Sequence, residues 1–176
     1  MEISANLRLS EYAAVIGVTP RRCQFLVKEG IIKPVGGGGG PGRHLQFTEH
    51  EARVGRLVVA LHKAGVALSA AGMIAWSFRL NWLLADPPRL VTGQTVDDVD
   101  PGHGKWRKRT QAALQGKTMH LLVGPPLREG ELGDPDAAHQ LDLVTPQELG
   151  KALAGKRFGS REVVYVVNLA QVWAGL

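Results

Sequence analysis

The chain has 176 residues, 44% of them apolar, with a formal net charge of +5 and a single cysteine, Cys23. That apolar share supports a real core and argues against general disorder, and one cysteine excludes an intramolecular disulfide or a cysteine metal cluster. Apolar stretches are broken by His, Lys or Arg well short of the ~18 residues a membrane helix needs, and no basic-then-apolar leader opens the sequence, so the expected compartment is the reducing cytoplasm.

The charge is unevenly divided. Residues 1–80 carry ten Lys/Arg against five Asp/Glu, whereas residues 81–176 carry eleven of each. All the formal excess sits in the first half, where it attracts polyanions through screened Coulomb forces and counterion release.

In chain order, Ser10 is placed to cap a short helix through Glu11–Ile16, with Gly17 ending it and Val18 tucked under the turn. Thr19 caps the next helix with Pro20 at its first position, where a missing N–H costs nothing. That helix runs to Lys28, and Gly30 stops it. Two helices of this length joined by a short turn have the proportions of a helix-turn-helix. Ile31-Ile32 packs back, Pro34 closes the segment, and the run Gly36–Gly40, Pro41, Gly42 leads to Arg43–Phe47, which alternates as a strand does. The unit reads as a hairpin with a glycine tip. A phosphate-cradling loop would need the Lys-Ser/Thr pair, which is absent.

Thr48 and Glu51 form a capping box for a helix with Val54, Leu57, Val58 and Leu61 on one face, ended by Gly65. Ser69 opens another helix, stopped at Asp86-Pro87-Pro88. It carries Trp76, Phe78, Trp82 and Leu83, which do not share one narrow face. Some of them are therefore expected to meet a second domain or another subunit. Beyond the prolines, the pattern predicts a short strand at Leu90–Thr92, a turn-rich acidic stretch at 97–104, a helix from Lys105 to Leu114, and a strand at Met119–Val123. A loop over 124–140 follows, then a helix from Gln147 to Leu153 capped by Thr145, a strand at Glu162–Asn168 and a closing turn or helix at Leu169–Trp173.

The order Leu-Ser-Glu-Tyr-Ala-Ala, Gly-Val-Thr-Pro-Arg-Arg, Lys-Glu-Gly-Ile-Ile-Lys-Pro and Gly-Arg-His-Leu-Gln-Phe-Thr-Glu-His-Glu-Ala, over residues 7–80, resembles the MerR-like winged-helix family and its small excisionase-type relatives. The resemblance implies a second helix that enters the DNA major groove, a wing on the backbone or in the adjacent minor groove, and a homodimer on inverted repeats. It puts Arg21 at the groove-entering arginine and Arg43 at the wing arginine that meets phosphate. Phe25 stands where longer members have Tyr, Gln24 replaces a frequent Arg, and five glycines lengthen the wing. No heptad run follows residue 87, unlike in the family's activators.

The expected fold is mostly α with a β wing. It comprises an N-terminal winged helix-turn-helix over residues 1–87 and a small C-terminal α/β or α+β domain over 88–176. Arg21 and Arg22 are either a solvated helix start or the groups to which DNA would supply an anion. Positive side chains there oppose the helix dipole and want one, so the second is expected. Gln24, Lys28 and Thr19 are further expected contacts, with Arg43 and His44 on the hairpin and Tyr12 either offering its hydroxyl to a phosphate or packing in the core. Lys105, Arg107, Lys108 and Arg109 form an auxiliary basic patch, set against a solvated helix face. Cys23 is expected to be a buried small hydrophobe. The six histidines show no His-Glu-x-x-His pattern, so neither metal nor cofactor is expected.

The function expected is sequence-specific double-stranded DNA binding in a phage or bacterial cytoplasm, at the nucleoid. It is repressor-like, because the second half lacks a recognisable effector-sensing design. The alternatives are an excisionase-like architectural factor, or a small-molecule or protein-binding regulator whose main activity lies in residues 88–176. Asp97, Asp98, Asp100, His103, His120 and Glu148 offer polar chemistry, but in no nucleophile–base–orienter order, so no enzyme is expected.

Overall fold

The computed structural model describes residues 7–37, 44–83, 101–126, 139–155 and 164–174. It is mostly helical, with small antiparallel sheets, and divides into two compact units. The first comprises Met1–Arg79 with Val172–Leu176, and the second Leu80–Gln171. The expected boundary at residue 87 and the strand at Leu90–Thr92 lie outside the described residues.

The first unit begins with a two-residue strand, β1 (Leu7–Arg8), which runs straight into helix α1 (Leu9–Ile16). Ser10 therefore lies inside the helix and is not its cap. The start is fixed two residues earlier, where the Glu11 carboxylate reaches back to accept from Arg8 N at 2.8 Å. Gly17 ends α1 in the left-handed conformation (φ +74°), which an L-residue adopts only with strain. Three residues later comes α2 (Pro20–Lys28), whose cap is built as the sequence predicts: Thr19 Oγ1 accepts from Arg22 N at 3.2 Å, with Pro20 at the first position.

Residues 35–36 return alongside Gln46. Val35 N donates to Gln46 O at 2.8 Å, and Gln46 N donates to Gly36 O at 3.0 Å. On its other side Gln46, within β2 (Gln46–Phe47), pairs antiparallel with Arg8, and Phe47 with Leu7. The hairpin tip at 38–43 is outside the described residues. Helix α3 (Glu49–Lys63) starts at Thr48, whose hydroxyl accepts from Glu51 N. Helix α4 (Leu68–Leu83) follows a turn at Gly65.

The core of this unit gathers Tyr12, Ala13, Ile16, Cys23, Leu26, Ile32, Phe47 and Ala52. Tyr12 stacks on Phe47 with ring centroids 4.1 Å apart, and its hydroxyl donates to Glu51 O at 2.9 Å. The α1–α3 approach is close enough that a Cβ on Gly55 would sit 2.4 Å from the Tyr12 oxygen and 2.9 Å from Ile16 Cγ2.

The second unit holds α5 (Pro101–Leu114), which begins four residues before the predicted start, and a three-stranded antiparallel sheet ordered β4-β3-β5. Strand β3 (His120–Pro126) is central, flanked by β4 (His139–Val144) and β5 (Tyr165–Asn168). The sheet is antiparallel throughout its described residues, so this unit is α+β. Leu121, Leu122 and Val123 are all fully buried, as befits a middle strand covered on both faces. On one face, Leu122 and Val144 pack with Leu149, Ala152 and Leu153 of α6 (Pro146–Ala154). Strand β4 occupies part of the stretch expected to be a loop. A short helix, α7 (Leu169–Val172), follows β5. No helix among the described residues is long and apolar enough to cross a membrane.

Gly55→Ala should destabilise the protein by about 1–3 kcal/mol through overpacking, although Ala favours an isolated helix by ~1 kcal/mol. A fall in the urea midpoint at unchanged slope would check it.

Candidate nucleic-acid interface

Helix α2 presents two distinct faces because its apolar residues follow helical spacing. Cys23 and Leu26 are buried, while Arg21, Gln24 and Lys28 are exposed at i, i+3 and i+7, on one face. Among the described residues none of these three has a hydrogen-bond or ion-pair partner in its side chain. Arg22 flanks them, its guanidinium 4.9 Å from the centroid of the Phe25 ring. Both arginines sit in the first turn, where the helix dipole opposes positive charge. Thr19 is exposed too, its hydroxyl oxygen already engaged in capping.

His44 is exposed beside the hairpin base, and Arg43 lies outside the described residues. Gly37 fixes the near arm. It sits at φ +79°, and a Cβ there would run into the His44 carbonyl, so the two arms can approach only with glycine at this position.

Of the two places open to Tyr12, it takes the core and does not belong to this surface. The ring is 0% exposed and the hydroxyl is spent on Glu51 O, so no phosphate can reach it. Glu51, expected from sequence to complete a capping box at Thr48, turns its carboxylate to Lys33 N at 2.8 Å and so anchors the segment that follows α2. Sequence spacing could not reveal that bond, since it joins residues in separate elements.

The second basic run divides in the same way. Lys105 and Lys108 are exposed, but Arg107 is only 6% exposed, and Arg109 donates to Leu143 O and to the Glu148 carboxylate. Arg107 and Arg109 are therefore structural residues of the second unit and not auxiliary nucleic-acid contacts. The Glu148 carboxyl is held below its ordinary range, first by the Thr145 backbone N–H and then by the Thr145 hydroxyl and Arg109.

Beside α2 lies an open groove of about 460 Å³ between the end of α2 and the first turns of α4. Phe25, Met73 and Trp76 line it at 40%, 46% and 39% exposure, and Lys33 Nζ stands 5.5 Å from the Trp76 ring centroid. Trp76 stands out in the sequence, but Met73 and the groove shared by α2 and α4 do not, since the groove joins residues about fifty positions apart. The Trp82 side chain lies outside the described residues. Burial pushes the Cys23 thiol from 9.0 up to about 11, which fits its place in the core.

No protein-family model matches the chain, and no curated protein matches it.

Three outcomes follow from these contacts. Cys23 should resist thiol-directed reagents at pH 8 in the folded protein and react once the chain is unfolded in urea. The unfolded thiol ionises near 9.0 and the buried one near 11, so the folded state binds more protons between those values. Stability should then fall as pH rises through that window. Arg109→Ala should lower the stability of the second unit by about 1.5–3 kcal/mol, as expected for hydrogen bonds from a charged group. Thermal melts would check it, and unchanged stability would return Arg109 to the surface.

Proposed function

We propose that the protein is a sequence-specific double-stranded DNA-binding regulator of the MerR-like winged helix-turn-helix type. In this reading α2 is the recognition helix and residues 34–47 are the wing. The observation that carries it is the exposed face of α2. Three long polar side chains, Arg21, Gln24 and Lys28, stand in line without protein partners among the described residues, within the chain half that holds all the excess positive charge. Two arginines in a first helical turn gain most from an anion, and an exposed helix carrying Arg and Gln has the donors that read guanine and adenine edges in the major groove. The antiparallel base joining residues 35–36 to Gln46 supports a wing reaching the adjacent backbone.

Arg21 is assigned to base edges, and Arg22, Lys28 and His44 to phosphates, with Arg43 as a further wing contact. The resemblance of residues 7–80 to the MerR-like family implies a homodimer on an inverted repeat. The mechanism is occupancy, and the chain catalyses no reaction. A protein covering its site without a built-in effector response acts most simply as a repressor, by excluding other proteins from the DNA. An excisionase-like architectural factor would use the same face and differ by bending its site.

Selection from random duplexes at fixed salt should enrich a short, palindromic site. Arg21→Ala should weaken binding by about 1–3 kcal/mol and relax one base position. Lys28→Ala should weaken all sequences alike and reduce the salt slope by about one. Binding by the full chain without any enriched sequence would sink the specific reading and leave a general polyanion surface.

A further inference from the structure

The second unit is an insertion in sequence, because the chain rejoins the first unit at Val172–Leu176. The return is specific. The Trp173 indole is buried, its N–H donates to Arg53 O of α3 at 3.0 Å, and its ring meets Phe78 of α4 edge-on, with centroids 6.1 Å apart at 78°. One position on, Ala174 O accepts from the Arg56 guanidinium. The same side chain donates through Nε to Val15 O at 2.8 Å. Val15 lies in the last turn of α1, whose carbonyls have no intrahelical donors, and a cation there also complements the helix dipole.

Arg56 thus holds three pieces of chain together: α3, the end of α1 and the returning segment. Its guanidinium is planar, with donors fixed in a fork. Once one prong is set by Ala174 O, the direction in which the other meets Val15 is set as well. Directly beyond Val15 come Ile16 and the three-residue turn that launches α2.

We infer that residues 172–174 are a strap of the first unit: through Trp173 they close the space between α3 and α4, and through Arg56 they fix the C-terminal end of α1. Release of the strap loosens α1 and the turn into α2, while the β3–β4–β5 sheet keeps its stability. A factor that captures or cleaves this segment would therefore act on the helix pair. The inference rests on contacts inside the first unit and does not depend on the DNA-binding reading.

Amide hydrogen exchange on the full chain tests it, because exchange reports local opening segment by segment. Trp173→Ala should accelerate exchange in α1 and α3 by about tenfold or more, with β3 and β4 amides unchanged. Trp173→Phe keeps a ring against Phe78 but loses the indole donor, and should show a smaller acceleration of the same amides. Arg56→Lys keeps the charge but cannot span both carbonyls, so it should accelerate α1 and leave most of α3 protected. Wild-type exchange of α1 in both Trp173→Phe and Arg56→Lys would overturn the inference. Acceleration spread equally over both units in Trp173→Phe would overturn it too.

Discussion

The phenol of Tyr12 is the contact on which the first unit depends. It leaves α1, stacks flat on Phe47 of β2, and donates its proton to the Glu51 carbonyl in the first turn of α3. A buried hydroxyl without an acceptor would cost about 1–3 kcal/mol, so the ring position and the start of α3 are mutually determined. Gly55 provides the room for that oxygen, and a side chain there would push α1 off α3. Glu51 extends the same node, since its carboxylate takes the Lys33 amide and so sets the exit from α2. The solvent-facing row of α2 is therefore aimed by residues that never touch solvent.

The second unit is organised around a strand and not a ring. Strand β3 is buried on both faces and bonded on both edges, and α6 lies over one face. The Arg109 guanidinium, bonded to the β4 backbone and to Glu148, ties α5 to the strand and to the capped start of α6. A cation committed in this way contributes to internal order and is lost to the external field. Because Glu148 is committed with it, the pair leaves the net charge of the second half at zero and the formal excess of the chain in residues 1–80.

What was legible in the sequence was local. The caps at Thr19 and Thr48 could be read because a hydroxyl bonding an amide three residues on needs nothing from the rest of the chain, and the one at Thr145 because the Glu148 carboxylate three residues on accepts from its N–H. The two-residue strand β1 could not, since Leu7 and Arg8 become a strand only by pairing with Phe47 and Gln46. For the same reason Ser10 looked like a cap when the start was set at Arg8. Strand β4 carries an alternating signal in Leu141 and Leu143, but the turn-forming residues before it hid where it begins. Within the basic run 105–109, charge density suggested one surface, although a 100° turn per residue sends Arg107 inward while Lys105 and Lys108 stay out. Burial of Tyr12 follows from partners as distant as Glu51, 39 positions away, which no local pattern reports.

The return of the chain to its first unit has a consequence for synthesis. Arg53 and Trp173 are 120 positions apart, and Arg56 and Ala174 are 118. At roughly 5–20 residues per second, the ribosome finishes α4 on the order of 5–20 s before it makes Trp173. Through that interval the apolar side of Phe78 has no indole to meet, and Val15 has a guanidinium that lacks its second carbonyl. Contacts of such long sequence separation also close slowly, because the loop entropy is spent before they form. The nascent first unit therefore matures in two stages, an early assembly around Tyr12 and a late one around Trp173. Between the two, α3 and α4 lack the indole that later lies against them.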